Sequence, residues 1–401
     1  MSTFHAKATQ APRIPLTAQE RKVSANLALL FAVRMLGLFL LTPVFADVAK
    51  HLSGGDRPAL IGLAIGAYGL TQAIMQIPFG ILSDRFGRRP IIIIGMVFFI
   101  VGGIVCALSD SVMGVVVGRA IQGFGAVSAA ITAWIADSTR PEVRARAMAM
   151  VGGSIGLSFA SSLVLSPLLV EFTGLSGLFW VISLLGFVCL LLATFLVPVV
   201  PMHDQAITPV SSKQLLCDDS LLRLNFGVFC LHFSMMSLFV VLPSLLIKLG
   251  NLSVGHLWEV YLPVIVVALI LMVPAVFYIE TRRKHKLGLD SSVGLLVLLF
   301  LAWIATSSSY WGCVVALLVF FILFNVLEAL LPSMVSRVTP PQHKGLALGL
   351  YNMCQALGVA TGGAVGGLLV QYTSMTMVFV MGAVVSGIWF LIAFRMKGLP
   401  A

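Results

Sequence analysis

The chain has 401 residues, of which 59% are hydrophobic and only 10% charged, at a mean hydropathy of +1.05. A water-soluble domain carries about a quarter charged residues, so the composition excludes one and points to an integral membrane protein. The formal net charge of +10 would suit a nucleic-acid partner in a soluble chain, but the placement of the basic residues excludes that reading.

In chain order, a polar segment, 1–24, comes first. Six apolar runs follow, near 25–49, 59–82, 90–108, 111–137, 146–170 and 176–198. The first run is too long for a signal-peptide core and reads as a retained span. A Pro/Ser/Thr-rich interruption, Pro198 to Asp219, then divides the chain, and 199–221 is assigned as a linker. Six more runs lie near 222–249, 255–279, 291–306, 310–336, 345–371 and 375–394, before a short tail, 396–401. Most runs reach the ~20 residues that cross about 30 Å of hydrocarbon as a helix, which satisfies its own backbone polar groups there. The expected fold is all-α and membrane-embedded, with twelve transmembrane helices in two pseudo-symmetric six-helix bundles, 25–198 and 222–395.

With residues 1–24 inside, all but five of the 25 lysines and arginines fall in cytoplasmic segments. Lys50, Arg57 and Lys248 lie outside, and Arg34 and Arg119 lie within spans. That asymmetry follows the positive-inside rule and places both termini in the cytoplasm. The six cysteines make no CxxC pair and no disulfide framework, so no metal or redox cofactor is indicated.

The two halves echo each other. At an offset of 196, Pro78, Asp84 and Arg88 align with Pro274, Glu280 and Lys284. At an offset of 200, Thr139, Pro141, Arg144, Ala145 and Ala147 align with Thr339, Pro341, Lys344, Gly345 and Ala347. A duplicated six-helix unit puts a central cavity between two halves, the arrangement used for alternating access.

The stretch Gly80 to Pro90 reads GILSDRFGRRP, and Arg119, Gln122, Gly123 and Gly125 stand in GRAIQGFGA. The first resembles the G-x-L-x-D-R-x-G-R-R signature between spans two and three of the major facilitator superfamily. The second resembles the fourth-span motif of its proton-linked members. RMLG in span one, LNFGVFCLHF in span seven and EALLPS in span ten extend the likeness over nearly the whole chain, towards the YajR-like group of proton-driven efflux transporters. The resemblance implies a conformational latch of Gly80, Asp84, Arg85, Gly87, Arg88, Arg89 and Asp137. In it, Asp84 sits at the start of span eleven near Lys344 when the inner gate is closed, and Asp137 competes for Arg88. Physically, Gly87 permits a tight turn and the arginines attract the anionic inner surface by about 1 kcal/mol each. An acid at a helix N-terminus gains ~0.3–1 kcal/mol from the macrodipole.

Arg34 and Arg119 lie where a lone cation is expensive and so need a polar partner or a wet cavity. Gln122, one turn beyond Arg119, shares its face. A proton-coupled carrier also needs a group in the membrane that exchanges its proton. Glu328, one turn after Asn325, is the deepest acid of the second half; Asp47, Glu259 beside Tyr261, and His232 are the competitors. For each, a satisfied structural polar group is the alternative. His232, Met235, Met236 and Phe239 share a helix face, which would suit an adaptable apolar substrate surface or, equally, a lipid-facing stripe.

The fifth span departs from the antiporter glycine pattern: Gly153 and Pro167 fit, but Ser162 and Ser166 replace glycines and Val170 with Glu171 replaces the final pair. YajR-like proteins commonly carry a soluble C-terminal domain, for which no counterpart is expected before Ala401. There is no nucleotide-cradling loop and no HExxH or G-x-S-x-G motif. The expectation is therefore a transporter and not an enzyme: a monomer in the inner membrane that exports small lipophilic or cationic compounds in exchange for protons. A proton-linked carrier of a sugar or other metabolite is the nearest alternative; a channel or membrane-embedded enzyme is the alternative of another class.

Overall fold

A single apolar run in hydrocarbon satisfies its backbone by coiling into a helix, and the predicted spans do so. The computed structural model describes residues 15–197, 218–340 and 344–396. Its helices are α1 (Ala18–Phe39), the short α2 (Phe45–Val48), α3 (Pro58–Phe86), α4 (Arg88–Ala107), α5 (Val112–Gly123), α6 (Ser128–Asp137), α7 (Pro141–Leu191), α8 (Asp219–Gly250), α9 (Trp258–Thr281), α10 (His285–Thr306), α11 (Tyr310–Val338), α12 (Lys344–Tyr372) and α13 (Thr376–Phe394). Most of the predicted linker, the predicted tail and the first 14 residues lie outside the described residues.

Two helices begin ahead of their apolar runs, for local reasons. Thr17 and Glu20 cap α1 reciprocally: Glu20 N donates to Thr17 Oγ1 at 3.1 Å, and Thr17 N donates to Glu20 Oε2 at 2.8 Å. The charged first turn of α10 is neutralised in place, because Lys286 donates to Asp290 at 2.5 Å and to the Ala393 carbonyl at 2.8 Å.

Among the described residues eleven helical stretches are long and apolar enough to cross a membrane, and one of them, Met150–Leu196, has 47 residues. At 1.5 Å per residue that is about twice the hydrocarbon thickness. The chain reverses at Gly174, whose φ of 66° suits a residue without Cβ. Contacts with α1 prove the reversal. Ser158 donates to Ala32 O and Ser166 to Leu40 O, both numbers rising together. Beyond Gly174, Cys189 donates to Leu30 O and Asn26 to Leu196 O, so the numbers run oppositely. The stretch is therefore spans five and six, and the total is twelve crossings. The fourth span is broken between Gly123 and Ser128.

Helix α12 packs between α3 and α8 backbone to backbone. A Cβ on Gly62 or Gly66 would strike the backbone of Gly363 or Ala360, and one on Gly358 or Gly362 that of Phe229 or Phe233. Small residues allow that approach. At the same end of the molecule, polar contacts cross between the halves: Lys50 donates to Ser244 at 2.7 Å, Ala59 N to Gln371 Oε1 at 3.0 Å, and Gly255 packs on Glu171. At the other end, which carries the basic turns, the halves separate. Phe159 of α7 touches Phe239, Phe321 and Phe324. Gly156 and Gly152 lie on the same helix face, one and two turns nearer the basic end, yet a Cβ on either would meet nothing within 4 Å. On α12, Ala356 abuts Gly69 of α3, whereas Gly349, two turns nearer the basic end on the same face, meets nothing. The cleft is open at the basic end and closed at the opposite one.

Gly156→Cys and Gly349→Cys should therefore be labelled by a membrane-impermeant maleimide only from the membrane face carrying the basic turns, at least tenfold faster than Ser244→Cys from the other face. Equal labelling of Gly349→Cys from both faces would contradict the one-sided opening.

Candidate functional site

The charged turn between α3 and α4 folds around Gly87, whose φ of 94° is accessible to glycine at no steric cost. It aims Arg88 back at its own half. Arg88 ion-pairs with Asp84 one turn earlier, donates from Nε to Asp137 Oδ2 at 2.9 Å, and from Nη1 to Ser83 Oγ at 2.8 Å. Asp137 thus holds Arg88 as the sequence suggested, while the Asp84 side chain stays 57% exposed. The expected docking of Asp84 at the start of span eleven requires the basic end to be closed, and here it is open. Residues 341–343 and the side chains of Lys344 and Gly345 lie outside the described residues. Arg85 lies over the Phe86 ring at 5.4 Å, and Gly80 sits against Ala129. Arg89, expected at the lipid surface, instead donates to Ala193 O at 3.0 Å. That carbonyl belongs to the π-helical turn Leu192–Leu196 that ends span six, where helix geometry leaves oxygens free.

The second half carries the same device with its charges reversed. Glu280 is the centre, with His285 Nε2 at 3.1 Å, Arg337 Nη2 at 2.9 Å and Ser333 Oγ at 3.2 Å. The repeat pointed to Glu280 but paired Arg88 with Lys284, which instead bonds Tyr278 Oη. The turn here runs through Arg283, with φ 53°, and is longer than the one-residue turn at Gly87. The extra residues bring His285 into the pairing position. Arg337 occupies the place of Asp137, and Thr139 and Thr339 each donate to the carbonyl four residues back at 2.7 Å.

In the interior of the first half, Arg34 and Arg119 are sealed from solvent. Arg34 donates to Tyr68 Oη at 2.9 Å, to Ser128 Oγ at 3.2 Å and to Gly125 O at 3.2 Å. Gly125 lies in the break of the fourth span, and its carbonyl, which also accepts from Val127 N at 2.8 Å, takes the cation as a second donor. Arg119 donates to Gln122 Oε1 at 3.0 Å and stacks over the Tyr68 ring at 4.7 Å. Among the described residues neither arginine has an acidic partner. Tyr68, which both guanidinium groups share, was missed by the sequence reading; an isolated tyrosine in an apolar run carries no signal of its own.

In the second half, two of the predicted proton carriers meet. His232 Nε2 lies 3.7 Å from Glu328 Oε2. The imidazole is fixed: Nδ1 faces Val228 O at 3.1 Å, so it carries the proton, and Gln355 Nε2 donates to the bare Nε2 at 2.7 Å. Glu328 keeps 33% of its side chain exposed while Oε2 is buried without a hydrogen bond. The carboxylate therefore bridges a buried histidine and the open cleft. Gln355 and Tyr351, whose buried hydroxyl is also unpaired, come from α12 and were not foreseen.

The other candidates fall elsewhere. Asn325 spends its amide on Phe321 O at 2.7 Å within its own helix. Asp47 pairs with Lys50 at 2.6 Å at the closed end, and Glu259 sits in the first turn of α9, where the macrodipole favours an acid. Met235, Met236, Phe239 and Tyr261, expected to line the cavity, are buried. Tyr261 Oη approaches Pro43 O at 3.4 Å, and Phe239 closes on Phe159 with ring centroids 6.4 Å apart. Phe239 and Tyr261 thus help to hold the halves together. Ser166, where a glycine was expected, donates to Leu40 O, so it binds span five to span one.

The profile of the Major Facilitator Superfamily matches residues 27–355 and 291–400. The inner membrane transport protein YajR of Escherichia coli is 41% identical over 389 residues, covering 96% of this chain and 85% of that one. The multidrug resistance protein MdtH of Aeromonas hydrophila is 25% identical over 357 residues, covering 85% of this chain and 86% of that one. Among solved structures, a bacterial homologue of the human lysosomal transporter Spinster, in an inward-facing and occupied conformation, shares the fold with a TM-score of 0.74 at 14% identity, covering 95% of this chain and 97% of that one. The chain belongs to the Major Facilitator Superfamily and is a membrane transporter, not an enzyme.

Proposed function

We propose that this transporter exports small lipophilic or cationic compounds across an inner membrane in exchange for protons, with both termini and the basic turns in the cytoplasm. The observation that carries the reading is the Glu328 carboxylate, open to the cleft on one side and 3.7 Å from His232 on the other. The similarity to YajR and, more distantly, to MdtH supports the same direction. The open basic end then faces the cytoplasm, and the units 25–198 and 222–395 rock about the closed seam as a monomer.

The coupling is a competition for one carboxylate. Ionised, Glu328 attracts a donor or cation entering from the cytoplasm. When the cleft opens outwards it takes up a proton and the attraction is lost. His232 Nε2, held by the Gln355 amide, lies 3.7 Å from Glu328 Oε2, so a fixed polar neighbour stands beside the group that exchanges the proton. A proton entering with the membrane potential gains ~2.3 kcal/mol per 100 mV, which drives the cycle only if a side chain carries it through the closed state. When the cytoplasmic end closes, Arg88 is redistributed and the exposed Asp84 docks at the start of α12.

In proteoliposomes with an imposed pH gradient, Glu328→Gln, which mimics the protonated form, should still bind substrate, though more weakly than wild type, and should lose at least tenfold of its response to the gradient. Undiminished accumulation would remove Glu328 from the proton path, and a substrate panel containing sugars separates drug efflux from metabolite transport. Asp84→Asn should fold and insert normally yet slow turnover at least tenfold, because it removes a closing contact and no packing. Wild-type turnover in that variant would remove the latch.

A further inference from the structure

We infer that the crevice between the cytoplasmic halves of α8 and α12 is a binding site for a lipophilic aromatic molecule that donates one hydrogen bond. The inference narrows the substrate class proposed above and rests on that reading for its physiological role, though not for the binding itself.

The two helices touch backbone to backbone at Gly358 and Gly362, against Phe229 and Phe233, and part towards the basic end. The wedge they leave has a volume of about 540 Å³ and is walled by Phe226 and Phe229 of α8 and Leu350, Met353 and Cys354 of α12. That is within the ~300–1,000 Å³ typical of sites for drug-sized ligands. The lining is apolar but for one group. Asn225 is only 7% exposed, and its Oδ1 has no hydrogen-bond partner. A buried acceptor left unmade is costly, and a ligand N–H or O–H relieves it. The Phe226 and Phe229 rings stack with centroids 6.2 Å apart and planes 23° from parallel, which suits a flat ring laid along them. An acyl chain of the bilayer would fill the wedge but leave Asn225 unsatisfied.

The crevice also leads somewhere. Asn225, Phe229 and His232 follow one another along one face of α8, so the orphan amide lies about 10 Å along the helix axis from the His232–Glu328 pair. A molecule seated here waits one step from the carboxylate that the proton uses.

Cys354 supplies a native reporter. It is partly exposed, whereas Cys106, Cys189, Cys230 and Cys313 are buried. In purified protein carrying Cys217→Ser, reconstituted without any pH gradient, the rate of maleimide modification at Cys354 is followed by mass spectrometry while phenylindole is titrated. Phenylindole should protect Cys354 saturably, and its N-methyl analogue, which lacks the N–H, should require about tenfold more, the effect of one lost hydrogen bond. Asn225→Leu should abolish that difference between the two compounds, and Leu350→Trp, which fills the wedge, should abolish protection while keeping the wild-type melting temperature. Absence of protection at saturating phenylindole overturns the proposal, and so does equal protection by both compounds in the unaltered protein, which is apolar partitioning. Because the readout is equilibrium binding, failure of pH-driven export leaves it untouched, and the converse.

Discussion

A carbonyl oxygen inside a bilayer has to find a donor, and in this chain carbonyls at helix breaks and ends take a cationic side chain from another span as a partner. Arg34 takes Gly125 O in the break of the fourth span. Arg89 takes Ala193 O at the end of the sixth, and Arg223 and Lys286 take Ile392 O and Ala393 O at the end of the twelfth. Each bond is charge-assisted and aimed at a helix C-terminus or break, where the macrodipole is negative. Each also fastens one span to another. The same bond recurs in both halves: Arg89 and Lys286 open the third and ninth spans and hold the last span of their own half. The duplication is thus visible in a physical interaction as well as in the wording of two loops.

With the halves made rigid in this way, the freedom of the molecule lies between them. At the closed end the seam depends on glycine contacts and on few polar bonds, and the lysine of the Lys50–Asp47 pair is 46% exposed, so that pair contributes about 0–1 kcal/mol. At the basic end the ion pairs around Arg88 and Glu280 close within their own halves. Neither end is held by a network that could not be exchanged for another of similar strength. Two states differing by a few kcal/mol are what alternating access requires.

The spans and the charge-bearing turns were legible because each has a local cause: apolar length and a glycine-centred turn. Gln122 was legible as the partner of Arg119 because helical spacing fixes that contact. What escaped depends on tertiary register. His232 and Glu328 were seen singly, but their meeting depends on how α8 packs on α11, and Gln355 arrives from a third helix. Helical spacing put Met235, Met236 and Phe239 on one face, yet all three are buried, and Phe239 packs across the seam on Phe159. Which surface a carrier buries changes with its conformation, and no periodicity records it. The repeat matched Arg88 with Lys284 and passed over His285 for a smaller reason, the longer turn through Arg283.

The interior charges are divided in kind as well as in place. In the first half the two arginines are sealed, bonded to carbonyl, hydroxyl, amide and ring, and have no route for exchanging a proton with water. A sealed, permanently charged group can fix geometry and field but cannot carry anything across. In the second half the ionisable group is a carboxyl whose side chain is one-third exposed, next to an imidazole whose orientation two neighbours dictate. Only there do access to the cleft, a titratable group and a preset partner coincide. On the proposed reading, in which the cycle moves a proton, all three are needed at one point, which would place that exchange in the second half, with the first as the fixed wall against which it works.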